Sequence, residues 1–477
     1  MRFLAHTSTK FLMQVGTRFL PFADAATPDL PLSRLLRLSL FQISVGMATA
    51  LLVGTLNRVM IVELGVSATI VSIMVAIPLL FAPFRALIGF RSDRHRSALG
   101  WRRVPYIWFG TMVQFAGLSI MPFALLLLSD AADVPLWFAT GAGALAFLLV
   151  GAGLQVTQTA GLALATDLAA EETRPRVVAL MYVTLLVGMM LSSVVFYFAL
   201  TNFSPTRLIQ VIQSAAMVTI FLNIIALWKQ EPRDRARAAA AAEPAIPFRD
   251  AWATFTATTH AKRFLLAVFL GTLAFNMQDI VLEPYGGEVL GLPVSATTFL
   301  TALLAAGALL AFALAAWTLT RGMDPYRLAA YGIALGLPAF AMVLLAAPIE
   351  SPLLFRIGAF IIGFSGGLFS VGTLTAAMGL DTGRNGLALG AWGAVQATGA
   401  GLAMIVGGGL QELTASLASR GVLGKAFEGA APSYGVVYNF EILLLLAALI
   451  VIGPLARHWR TPALNPSRKF GLGELPG

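Results

Sequence analysis

The chain has 477 residues, 58% of them hydrophobic and 12% charged, with no cysteine and a formal net charge of +9. So little charge cannot cover a water-soluble protein of this length, and the composition assigns a polytopic membrane protein. The missing cysteines exclude a disulfide framework, thiolate chemistry and cysteine-ligated metal or iron–sulfur centres.

In chain order, the first apolar run, FLMQVG (11–16), is too short for the core of a cleavable signal peptide, so the first spanning helix is expected to direct insertion. A span needs about 20 mostly apolar residues. Six candidates run near 38–62, 68–90, 104–128, 135–165, 177–200 and 207–228. After a polar gap, six more run near 263–284, 294–320, 327–347, 352–380, 386–411 and 434–456. The expected layout is a tail (1–37), a six-helix bundle (38–228), a linker (229–262), a second six-helix bundle (263–456) and a closing tail (457–477).

Lysine and arginine fall unevenly on this layout. The tails, the linker and the loops on their side hold 26, the opposite loops hold 4 (Arg207, Arg356, Arg420 and Lys425), and Arg58 and Arg85 lie within spans. The positive-inside rule then puts both termini and the linker in the cytoplasm. Topology therefore explains the net charge, and nucleic acid is not an expected partner.

The halves resemble each other. GVSAT (65–69) precedes the second span and PVSAT (293–297) the eighth. GLQVTQTAGLALATD (153–167) and GLFSVGTLTAAMGLD (367–381) each end on an aspartate, Asp167 and Asp381, before a loop with Arg174 and Arg176 or with Arg384. Two six-helix repeats joined by a basic loop are the layout of the major facilitator superfamily, so the expected fold is an all-α membrane protein of twelve transmembrane helices. The loop GFRSDRHRSALGWRRVPYI (89–107) partly matches that superfamily's signature between spans two and three. Gly89, Asp93 and Arg94 fit its spacing, while Gly100 comes late and Trp101 precedes the basic pair Arg102 and Arg103. Asp93 could face the positive end of a helix starting near Gly386 and latch the halves together; the alternative is a solvated loop that only sets topology.

Polar side chains within the spans are Asn57, Arg58, Arg85, Gln114, Gln155, Gln158, Asn276, Gln278, Asp279 and Glu283. An unpaired charge at membrane depth is costly. Aligning NRVMIV with QDIVLE places Arg58 opposite Asp279, and an ion pair between them is expected across the pseudo-twofold axis, as a structural clamp or as a contact in the central cleft. His6, His95, His260 and His458 all fall outside the expected spans, and no P-loop or H-E-x-x-H motif is present, so no enzyme is expected.

The strings LPFADAATPDLPLSRLLRLSLFQISVGMA (20–48), LNRVMIVELGV (56–66), SDRHRSALGWRRVPYIW (92–108), ATDLAAEETRPRVVALMY (165–182) and QDIVLEPYGGEVLG (278–291) resemble the PucC/LhaA family of purple phototrophic bacteria, the length and N-terminal extension looking most like its LhaA branch. The resemblance implies an assembly factor for a light-harvesting antenna, with the core complex (LH1) favoured by that branch, in the inner, intracytoplasmic photosynthetic membrane. It implies antenna polypeptides as partners, with bacteriochlorophyll synthase and the protein translocation machinery as further candidates, and bacteriochlorophyll or carotenoid as bound pigment. Small-residue stretches such as GAGALAFLLVGAG (141–153) and ATGAGLAMIVGGG (397–409) would then hold antenna helices by close packing; alternatively these glycines pack the protein's own helices. A reading from a different class is a proton-coupled carrier of a small amphipathic solute, with Asp279 or Glu283 as its proton site.

Overall fold

The computed structural model describes residues 25–27, 30–80, 101–129, 134–170, 173–231, 259–380 and 385–457. The described residues form helices almost throughout. In the first half these are α1 (Leu32–Glu63), α2 (Ala68–Leu80), α3 (Val104–Leu128), α4 (Leu136–Leu168), α5 (Arg174–Ala199) and α6 (Pro205–Leu227). In the second half they are α7 (Thr259–Glu288), α8 (Val294–Leu319), α9 (Pro325–Ala346), α10 (Pro352–Gly379), α11 (Asn385–Ser419) and α12 (Ala431–Arg457). Eleven are long and apolar enough to cross a membrane, and α2 is a shorter apolar helix over its described residues. This is a multi-span membrane protein.

Local chemistry sets several boundaries. Ser204, Asp324 and Ser351 each cap a helix by accepting a backbone N–H with the side chain, and each is followed by proline at the first helical position. Most helices run beyond the spans expected from hydropathy, because helical hydrogen bonding continues past the apolar stretch: α7 begins at Thr259 rather than 263, and α11 continues to Ser419 rather than 411.

α1 is not a uniform α-helix. It opens into π-helical turns at Ala50–Leu56 and Val59–Glu63, on either side of Asn57 and Arg58. Such turns shift the phase of the side chains that follow them.

Helices pack mainly within each half: α3 on α4, α1 on α5, α9 on α10, and α7 on both α11 and α12. Glycine permits the closest of these contacts. A Cβ on Gly153 would stand 2.3 Å from the Gln114 nitrogen, and one on Gly363 2.1 Å from the Leu304 carbonyl oxygen. The halves meet where α2 crosses α11 and where α5 lies along α8. Chain direction gives the bundle two ends, a basic end carrying Arg34, Arg102, Arg103, Arg263 and Arg327, and a far end where α1 finishes and α2 begins.

Candidate functional site

The two halves are hydrogen-bonded to one another at the far end. The Asn57 amide donates to the backbone carbonyls of Asp279, at 3.2 Å, and Ile280, at 2.9 Å. One Arg58 guanidinium nitrogen donates to the Leu292 carbonyl at 3.2 Å. Thr55 and Thr298 hydroxyls lie 3.2 Å apart. Ser67 and the Thr69 backbone N–H both donate to the Glu412 carboxylate, and Tyr197 packs against Phe299. Where α2 meets α11, a Cβ on Gly408 would lie 2.7 Å from the Ala68 carbonyl oxygen.

This geometry corrects the expected clamp. Arg58 is ion-paired with Glu63 of its own helix, not with Asp279. Symmetry alignment places Arg58 and Asp279 at matching heights, but the π-helical turns change the direction in which Arg58 leaves α1. Its guanidinium lies against Gly287, where a Cβ would stand 3.0 Å from Nε. Asp279 instead accepts from the neighbouring Gln278 amide. Glu283 is buried beside α1, its carboxylate accepting from Thr301 at 2.7 Å, and the lack of a side chain at Gly54 makes the room it occupies.

The remaining spanning amides are spread through the core. Gln114 donates to the Ser44 carbonyl at 3.3 Å. Beside it, Asn223 links α6 to α3 and α1, donating to the Thr111 hydroxyl at 2.8 Å and accepting from Ser44 at 3.0 Å. Gln155 and Gln158 are buried in α4. Asn276 donates to the Thr272 carbonyl of its own helix at 2.8 Å.

At the basic end, Glu231 receives the backbone N–H groups of Arg102, Arg103 and Val104, so the residue just beyond α6 caps the start of α3. Asp167, at the end of α4, accepts from Arg103 at 3.0 Å and from Arg102 at 3.4 Å. Arg34 of α1 donates to the side chain and backbone of Gln230. The basic pair of the loop signature thus acts inside its own half. Arg174 and Arg176 stand in the first turn of α5. Arg85, Gly89, Asp93, Arg94, Gly100, Asp381 and Arg384 lie outside the described residues, and so does the expected latch.

Beside this network is a groove of about 930 Å³ between α1, α3 and α6, lined by Trp101, Pro105, Trp108 and Trp228 with Arg34 and Lys229 at its rim. Its lining is mainly apolar, with three tryptophans. The histidine among the described residues, His260, stands in the first turn of α7, where the sequence had placed it ahead of the span, and its ring lies 3.1 Å from the Tyr326 hydroxyl.

The glycine-rich stretches serve mostly internal packing. Gly143 meets Met74 and Leu128, Gly151 meets Pro78, Gly153 meets α3, and Gly407 and Gly408 meet α7 and α2; only at Gly141 and Gly409 is there open space around a built Cβ in both stretches' described contacts. Of the two readings of these stretches, these contacts favour packing within the chain, since their small residues lie against neighbouring helices of the same protein.

The sequence model of the family described as PUCC protein matches residues 55–459. The chain belongs to the PucC family. It is 56% identical to Protein PucC of Rhodovulum sulfidophilum, over 86% of this chain and 91% of that one. It is 50% identical to a Rhodobacter capsulatus protein named for the puhA-bchM intergenic region, over 98% and 99%. A relative at 27% identity, over 89% and 95%, is named bacteriochlorophyll synthase 44.5 kDa chain, also from Rhodobacter capsulatus. The fold is that of major-facilitator transporters. A bacterial homologue of the human lysosomal transporter Spinster aligns with a TM-score of 0.67 at 14% identity, covering 89% of this chain and 96% of that one. The nucleoside transporter NupG aligns at 0.63 and 13%, covering 90% and 100%.

Several residues that build these sites in the PucC-family chain escape a reading of its sequence. Glu231 sits among other charges at the edge of a polar gap, and Glu63 and Glu412 read as span-end acids. Glu441 is the clearest omission. It is an isolated acid in the apolar run NFEILLLLAAL (439–449), and that isolation is itself a signal.

Proposed function

We propose that this protein is a non-enzymatic assembly factor for a light-harvesting antenna of the photosynthetic membrane, serving the core complex and holding antenna polypeptides while pigment is added. The observation that carries the reading is the PucC-family match along 55–459, joined to high identity with a named PucC protein over most of both chains.

Pigment handling rests on the resemblance. The Trp101, Trp108 and Trp228 groove offers stacking surface for a flat macrocycle, but its lining contains no histidine to ligate magnesium. Both termini and the 229–262 linker are proposed to be cytoplasmic, in the bacterial inner membrane, from the placement of lysine and arginine. Reporter fusions after Lys229 and after Gly421 should then report opposite sides.

The decisive experiment is deletion of the gene with parallel purification of the tagged protein from phototrophic membranes. The assembly reading expects reduced core antenna, no single accumulating pigment precursor, and antenna polypeptides in the purified fraction. Accumulation of one defined precursor would overturn it in favour of catalysis. Normal antenna together with solute-driven proton uptake by purified protein would overturn it in favour of a carrier.

A further inference from the structure

Glu441 lies in the middle of α12 with 0% of its surface exposed, and neither carboxylate oxygen makes a hydrogen bond among the described residues. The Gln278 backbone lies beside it without a hydrogen bond of normal geometry. The Tyr438 hydroxyl, one turn away, is also fully buried and without a partner. Asp279 stands on α7, the helix against which α12 packs.

The depth of the pair follows from its neighbours. Toward the basic end, Arg263 of α7 donates to the Val451 carbonyl of α12 at 2.9 Å. Toward the far end, Tyr434 of α12 donates to Glu288 of α7 at 2.8 Å. Asp279 and Glu441 lie between these two ties, each about 15 Å from the far end of its helix at 1.5 Å per residue.

Among the described residues no ion pair joins a cation to either acid, and Arg356, on α10 packed against α7, stands near the start of its helix at the far end. The basic residues of α7 are Lys262 and Arg263 in its first turns, and that of α12 is Arg457 at its last residue. Of the other helices packed on α12, α9 carries Arg327, in its first turn beside Asp324, and α11 carries Glu412, already bound to Ser67 and Thr69. Arg58 is ion-paired with Glu63, and its guanidinium lies against Gly287, toward the far end of α7. Tyr285, Tyr434 and Tyr438 complete the titratable groups facing this region. No group of three or more potential metal ligands occurs among the described residues.

A carboxylate with no hydrogen-bond donor among the described residues, buried at membrane depth on a helix packed against one that carries a second acid, does not remain ionised without a counter-charge. We propose that Glu441 and Asp279 form a proton-binding site between α12 and α7, with Glu441 carrying the proton at neutral pH. Asp279 keeps some exposure while Glu441 has none, so Asp279 is the member through which a proton enters and leaves. The ligand is a proton, and the step is plain transfer from water to carboxylate. The site goes beyond the assembly reading and stands whether or not that reading holds.

The test is an infrared pH titration of the full chain in lipid nanodiscs. The wild type should show the carbonyl stretch of a buried protonated carboxylic acid at pH 7, and Glu441→Gln should lose that band component. Glu441→Asp, which keeps the carboxyl on a shorter stem, should shift the component, and it serves if Glu441→Gln does not accumulate. Asp279→Asn should retain the band and move the pH at which it disappears. Absence of the band from wild type at pH 7, or its persistence unchanged in both Glu441 variants, would overturn the proposal.

Discussion

Both halves bury amides, Gln278 and Gln411 among those of the second, but among the described residues it is the second half that buries carboxyl groups. Inside the first six helices, Gln42, Gln114, Gln155, Gln158 and Asn223 are neutral at any pH, and the buried cations Arg58 and Arg103 have Glu63 and Asp167 as counter-ions. Inside the last six, Glu283 is held by a hydroxyl and Glu441 by nothing. The two halves share one packing scheme, so backbone architecture does not dictate this difference. An amide can be satisfied by carbonyls and hydroxyls that a helical bundle already contains, as Asn223 is by Thr111 and Ser44. A carboxylate needs a donor set or a counter-charge that the bundle must supply separately.

Changing the chemistry of one half into that of the other breaks this contrast most sharply. Gln114→Glu puts an acid among α1, α3 and α6 with no cation near its amide's partner, and should cost on the order of 3 kcal/mol at pH 7. The cost has a definite pH dependence. A buried acid's folded pKa is raised above its unfolded value, so the folded state binds more protons and stability falls as pH rises between the two values. Thermal unfolding in detergent should therefore show a larger deficit against wild type at pH 8 than at pH 5; an equal deficit would mean that the site is hydrated.

Asn223→Leu tests the satisfied side of the contrast. It removes the link between Thr111 and Ser44, and should lower stability by about 2 kcal/mol, with little pH dependence. At the basic end, where a carboxylate does have donors, Glu231→Ala should cost about 1 kcal/mol by uncapping α3, and Glu231→Gln should recover part of it. A loss confined to pigment or partner binding, with unfolding unchanged, would show that the cap is not structural. The smallest effect is expected at Gln42, which is fully buried with both amide atoms unpartnered. Gln42→Leu should change stability by no more than about 0.5 kcal/mol, and a large loss would reveal a hydrogen bond made through water.

Hydropathy outlined the spans because the signal is summed over about twenty residues and survives local detail. Helix ends were less legible. The start of α7 at Thr259 depends on backbone hydrogen bonding, which polar residues such as His260 and Lys262 do not interrupt. The Arg58–Asp279 pairing failed for a specific reason. Pseudo-symmetry supplies height and approximate neighbour, but side-chain direction depends on helical phase, and the turns around Asn57 alter it. Asn57 does reach the Asp279 residue, through its backbone carbonyl rather than its carboxylate. The glycine runs admit two readings, docking grooves or, the favoured one residue by residue, internal seams, since a small residue lets any helix approach. Their neighbours, visible only after folding, decide that question. Asn223 and Glu231 act through partners more than a hundred positions away in sequence, Thr111 and the start of α3, and no local pattern marks them.

The described hydrogen bonds between the halves, from Thr55–Thr298 to Ser67–Glu412, all belong to the far end. Mechanically, fastening at that end makes it a fulcrum for any rotation of one half against the other. Across a hydrocarbon layer about 30 Å thick, a relative rotation of roughly 10° moves the opposite ends by about 5 Å. That displacement equals about one helical turn, enough to slide one helix past another by a full register step. A partner gripped at the basic end would thus gain leverage that the same partner, gripped near Asn57, would lack.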